Sequence, residues 1–158
     1  MEGTAVHELF AYDVERAGDL KGDGHACILV GSMGWKDNRG LVQLFEGGTR
    51  GQLRELWKLE GSQADEGLGF RQRVVEHLSG PGSRALVLDG LGVDEDWLLE
   101  PFMVPGATMR QRHLLPGPPT QARFSPEMGS AGDIYGDGKN EIYGVAPGQK
   151  GAVEVIKY

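Results

Sequence analysis

A single cysteine, Cys27, occurs in the whole chain, so no internal disulfide can form. That excludes a disulfide-stapled secreted module, which needs paired cysteines, but leaves the compartment open. Long apolar runs are also missing. No stretch approaches the ~20 residues a membrane helix needs, so membrane insertion is not expected. The opening MEGTAVHELF has neither a basic n-region nor an apolar h-region and does not read as a secretory signal. Positive charge is in deficit, with 16 Lys and Arg against 23 Asp and Glu and a formal net charge of −7. A nucleic-acid backbone or an anionic membrane surface is therefore disfavoured as the main partner, whereas cations are permitted. There is no G-x-S-x-G and no carboxylate pair placed for acid–base work, so no enzymatic activity is expected. His25 and Cys27 lie two residues apart, but together with His77 they match no zinc spacing.

Glycine, by contrast, is plentiful: 26 glycines and 8 prolines among 158 residues predict frequent turns and few long helices. The glycines are not scattered. Residues 17–34 read AGDLKGDGHACILVGSMG and residues 131–148 read AGDIYGDGKNEIYGVAPG. Aligned without a gap, they share Ala-Gly-Asp, Gly-Asp-Gly, an Ile and a final Gly. A third copy, VEHLSGPGSRALVLDGLG at residues 75–92, keeps the glycine and apolar spacing. In it His77 stands for Asp19 and Pro81 for Asp23. Asp19, His77 and Asp133 are separated by 58 and 56 residues, and such self-similarity at a near-fixed period is the mark of a repeat architecture.

Each copy parses alike. A leading strand runs up to the glycine turn, a short apolar strand follows (Cys27 to Val30, Ala85 to Leu88, Glu141 to Tyr143), and a second turn leads to a third strand at 41–47, 96–102 or 151–158. LVQLF and AVEVI alternate in polarity, as half-buried strands do. A fourth strand is expected at 53–61 and 107–115 only. LRELWKLEG also fits a helical period, but repeat consistency favours a strand. The expected fold is all-β: a propeller-like array of three four-stranded blades over about 10–61, 68–115 and 124–158, the last short of its fourth strand. AVHELF within residues 1–10 is a candidate blade-completing strand. Ile28, Leu86 and Ile142 are expected to be equivalent buried positions.

The stretch GDIYGDGKNEIYGVAPGQKGAVEVI resembles the FG-GAP repeat of integrin-type β-propellers. It carries the Gly-Asp-apolar-x-Gly-Asp-Gly turn, an acid three residues later, an Ala-Pro-Gly turn and Gly-Ala-Val. The first copy departs at Cys27, which holds the acid position, and the second keeps only the spacing. The resemblance implies four-stranded blades, a binding or scaffolding role without catalysis, calcium in the loops and an extracellular or particle-surface location.

In the third loop Asp133, Asp137 and Glu141 occupy positions 1, 5 and 9, and Gly136 and Gly138 allow a sharp bend. Such a loop can turn several oxygens, including the Lys139 carbonyl, toward Ca²⁺, which takes 6–8 oxygen ligands. Tyr135 holds position 3, where the family commonly has Asn or Asp. The other reading of the same residues is a metal-free turn in which Asp133 accepts bonds from loop N–H groups. Asp19 and Asp23 are weaker metal candidates, because Lys21 brings positive charge and Cys27 suits calcium poorly. Trp35, in the turn GSMGWKDNRG, is a candidate ligand platform for a glycan or another protein, or else a cover for its own blade. The chain is thus expected to be a lectin- or adhesin-like binding subunit, or a purely structural piece of a larger propeller, coat or filament. Three blades are too few to close a ring. A homodimer with six blades, or a larger assembly, is therefore expected.

Overall fold

A computed structural model describes residues 3, 7–90, 95–100, 111–116, 127–146 and 152–157. Among these the chain is all-β. The strands are β1 (Asp13–Gly18), β2 (Cys27–Ser32), β3 (Leu41–Gly47), β4 (Leu53–Glu60), β5 (Leu68–Glu76), β6 (Arg84–Gly90), β7 (Glu95–Glu100), β8 (Gln111–Pro116), β9 (Met128–Gly132), β10 (Glu141–Ala146) and β11 (Ala152–Ile156). They form three separate sheets in simple sequential order: β1-β2-β3-β4, β5-β6-β7-β8 and β9-β10-β11. The registered neighbours run antiparallel. Among the described residues no helix is long and apolar enough to cross a membrane.

Local chemistry explains the meander. Short apolar runs are bounded by glycine turns, in which glycine takes positive φ at no steric cost and lets the chain return beside itself. The first and third copies also share a bulge. Register shifts past Ala17 and Ala131, after which Gly18 (φ 72°) and Gly132 (φ 75°) take left-handed conformations and lead into the glycine loops. A further shift at Leu44/Phe45 lets β3 pair Leu44 with Trp57 and Phe45 with Glu55.

Two compact units are present, one holding residues up to Gln72 and the other most residues from Arg73 onward. In the first, Ala17, Cys27, Leu29, Val30, Leu41, Val42, Leu44, Phe45 and Leu68 are buried. The start of β5 lies so close to β2 that a methyl group on Gly31 would collide with the Gly69 carbonyl. In the second unit, Val75, Leu78, Ala85 and Val87 pack with Met128 and Ile142, joining the second sheet to the third. Register puts Met128, opposite Gly144, on the same face of its sheet as Ile142. Tyr143, Val145, Val153 and Val155 share the opposite face, where Val153 is 68% and Val155 39% exposed.

Several expectations change. LRELWKLE is a strand, as repeat consistency required, and its helical period has no structural counterpart. The leading strand of the first copy is Asp13–Gly18; Phe10 to Tyr12, inside the expected first blade, turn, with the Tyr12 amide bonded to the carbonyls of Leu9 and Gly31. The expected strand AVHELF is not formed over His7–Phe10: His7 (φ 79°) and Leu9 (φ 50°) are left-handed, and the Glu8 carbonyl accepts the Gly34 amide. Residues 5 and 6 lie outside the described residues, as do 107–110 of the fourth-strand candidate in the second copy, whose strand is Gln111–Pro116. Leu86 and Ile142 are buried, at 0% and 1%, but Ile28 is only half-buried, and its neighbours Leu29 and Val30 fill the first-unit core instead.

Candidate functional site

The three glycine loops are built on one hydrogen bond. In the first, Asp19 accepts at Oδ1 from the amides of Lys21 (3.2 Å), Gly22 (2.7 Å) and Asp23 (3.2 Å), and at Oδ2 from Gly24 (2.8 Å). In the third, Asp133 accepts from Asp137 (3.0 Å) and Gly138 (2.8 Å). In the second, His77 takes the carboxylate's place: its Nδ1 accepts from the Gly82 amide at 2.9 Å. In every copy the acceptor holds the amide five residues on. The two loop glycines are left-handed each time: Gly22 and Gly24, Gly80 and Gly82, Gly136 and Gly138. A side chain there would be strained, which is why the spacing survives where the acids do not.

The loop amides, Gly24 first, hold the Asp19 carboxyl below the usual carboxylate range. Asp23 accepts the His25 amide at 3.0 Å. Lys21 is ion-paired with Glu46 on β3, which Arg54 also reaches at 2.6 Å. Lys21 and then Arg54 keep Glu46 ionised. Burial pushes the Cys27 thiol up, so the residue at the acid position of the first copy is a packed apolar group.

In the third loop Asp137 Oδ1 accepts the Lys139 amide at 3.1 Å, and its Oδ2 lies 2.9 Å from the Lys157 ammonium. Lys157 is the largest cause holding Asp137 below its usual range, and the same ammonium lies 4.7 Å from the Tyr135 ring centre. Glu141, 1% exposed, accepts the Ile134 amide at 2.9 Å. The structure therefore brings Asp133, Asp137, Lys139 and Glu141 into one loop, and every one of these carboxylates already holds a loop amide. A calcium ion entering here has to displace Lys157 from Asp137. Among the described residues no three His, Cys, Asp or Glu side chains are grouped as a metal site. Loop spacing gave no sign of Lys157, which β11 delivers from 20 residues downstream of Asp137.

Trp35 opens a different kind of turn. Lys36 (φ 43°), Asp37 (φ 59°) and Asn38 (φ 58°) are three successive non-glycine residues with left-handed φ. Such residues cost about 1–3 kcal/mol each and persist only where the surroundings fix them. Here the 61–68 segment fixes them. Asp65 N donates to Asp37 O (3.1 Å), Gly67 N to Asn38 O (2.6 Å), Leu68 N to Arg39 O (3.0 Å) and Asn38 Nδ2 to Asp65 Oδ1 (3.0 Å). Glu66, 2% exposed, holds that segment by accepting from Ser62 N, Ser62 Oγ and Gln63 N. Lys36 lies over the Trp35 ring (5.4 Å) and pairs with Glu60 (3.0 Å), so that Lys36 holds the Glu60 carboxyl below its usual range. Trp35 itself is half-buried, with its indole N–H buried and outside hydrogen-bond geometry. The clamp from the next connection was not legible in the local sequence. No protein-family model matches the chain, and no curated protein matches it.

Proposed function

We propose that the chain is a non-enzymatic binding or scaffold module of three FG-GAP-like blades arrayed as in a propeller, with the Trp35 turn as its contact surface for a protein or glycan. The observation that carries this reading is the clamped left-handed run at Lys36, Asp37 and Asn38. Strain kept in place by bonds from Asp65, Gly67 and Leu68 points to a conformation that is used. The ring of Trp35 with a cation and an anion beside it suits a sugar face or a peptide aromatic. Screening the whole chain on a glycan array and against peptide libraries tests the reading. Binding that Trp35→Ala abolishes, with the fold retained by circular dichroism, is expected. Binding indifferent to Trp35→Ala overturns the assignment of this turn.

The structural alternative has its own support. On the apolar face of the third sheet that carries Tyr143, Val145, Val153 and Val155, the two valines of β11 are exposed and the other two residues half-buried, an edge open to another sheet. In the second unit the preceding sheet already buries Ala85 and Val87, and Val87 is the repeat equivalent of Tyr143, against the next sheet's Met128 and Ile142. A second copy, or a larger assembly, covering the Tyr143 face would continue that pattern. Calcium at Asp133, Asp137, the Lys139 carbonyl and Glu141 belongs to the same proposal, in exchange for Lys157.

A further inference from the structure

We propose that the middle glycine loop is an acid-sensitive latch, in which protonation of His77 releases a loop that its two sister loops hold with carboxylates. The three loops share one acceptor-to-amide bond, but only His77 makes it with an imidazole. Accepting the Gly82 amide at Nδ1 requires the tautomer with its proton on Nε2. An imidazolium carries protons on both nitrogens, so two N–H groups then face one another and the bond is lost. Imidazoles change charge between about pH 5 and 8, whereas carboxylates remain acceptors down to about pH 4. Acidification thus acts on one loop of three.

Release reaches beyond the loop. The main-chain carbonyls of Glu76 and His77 accept from Asn140, at 2.7 Å from its side chain and 3.0 Å from its amide. Asn140 belongs to the third glycine loop, so the latch joins the second sheet to the third. Local bonds within the loop include His77 N to Ser83 O (2.7 Å), Gly80 N to His77 O (3.2 Å), Ser83 N to Gly80 O (3.1 Å), Ser83 Oγ to Gly80 O (2.7 Å) and Ser79 N to Ser83 Oγ (2.9 Å). The charged groups at this junction are Glu76 on β5 and Arg84 on β6, paired at 3.3 Å, and on the third loop Lys139 and Asp137, the latter paired with Lys157. The segment from Leu78 to Ser83 carries no acid that would neutralise an imidazolium. The inference does not depend on what the Trp35 turn binds.

The chain supplies its own controls. In ¹H–¹⁵N spectra of the whole protein between pH 8 and 5, the Gly82 amide is expected to shift together with the His77 ring signals, and the Asn140 side-chain amide with it. The Gly24 and Gly138 amides, held by aspartates, are expected to stay in place. In His77→Asp, which restores the acceptor of the sister loops, Gly82 and Asn140 should become flat over the same range. The wild-type Tm should fall by about 2–4 °C more than that of His77→Asp between pH 8 and 5.5, the size expected for one loop bond in a chain of this length. A flat Gly82 in the wild type overturns the proposal, and so does equal movement at Gly24 and Gly138. Movement of Gly82 without Asn140, or without the Tm difference, overturns the latch between the loops.

Discussion

Asp19 illustrates how one side chain can organise a loop through main-chain amides. Four amides converge on its two oxygens, and they hold its carboxyl below the ordinary range. A group whose folded-state pKa is depressed stabilises the fold above the unfolded pKa, and that stability is lost as pH falls through the folded value. Asp19, Glu46 and Asp137 all shift in this direction. Stability is therefore expected to be steady above about pH 5 as far as these groups are concerned, and to fall below about pH 4. Asp19→Ala should lower the Tm at neutral pH and shallow the acid limb of a Tm-against-pH curve. An unchanged acid limb would show that these bonds are absent in solution. Lys157 sets the terms for calcium at the same scale. With its ammonium on Asp137, millimolar calcium is expected to raise the wild-type Tm little. Lys157→Met frees Asp137 and should enlarge the increment, which Asp133→Ala should then remove. Identical melting curves with calcium and with chelator in both wild type and Lys157→Met would rule out calcium at this loop.

At the scale of strands, the second-unit core is where truncation hurts. Ile142 is 1% exposed and meets β5 and β6 residues across two sheets. Ile142→Ala is expected to cost about 2–5 kcal/mol, because the removed carbons leave a cavity that strands on both sides cannot close. Val153, 68% exposed on the opposite face, should tolerate Ala within about 0.5 kcal/mol in the isolated chain. Urea denaturation of both variants checks the contrast, and a silent Ile142→Ala would mean that the two sheets do not pack as described. Ile28 shows that the repeat did not predict burial everywhere. Register places it between Arg16 of β1 and Phe45 of β3, where it is only half-buried, although Leu29 and Val30 beside it pair with the same two strands and are buried.

For the whole molecule, the exposed face of the third sheet sets the expectation. If a second copy covers it, light scattering should give a multiple of the chain mass, with two copies supplying six sheets. Val153→Lys combined with Val155→Lys should return the protein to a monomer with unchanged far-UV circular dichroism. A native chain that stays monomeric across the concentration range would remove the self-assembly reading and leave a different partner for that face.

The all-β class, the three glycine loops and the order of strands were legible because they depend on local chemistry. Left-handed glycines at fixed spacing, short apolar runs and alternation in LVQLF each act within a few residues. The Asp133 turn was legible for the same reason, as was the substitution of His77 for Asp19. Other features depend on residues far apart in sequence that meet only when strands are paired. Lys157 reaches Asp137 because β11 lies beside β10, Glu46 gathers Lys21 and Arg54 from two other segments, and the 61–68 segment fixes the left-handed turn after Trp35. AVHELF alternates like a strand, yet His7–Phe10 turns, because its backbone is engaged by Gly34 and not by a neighbouring ladder. The sequence by itself set the repeating turn and its strands. The tertiary structure decided which charges meet, which faces are covered and where a carboxylate's partner is an amide or an ammonium, since each of those depends on distance through space.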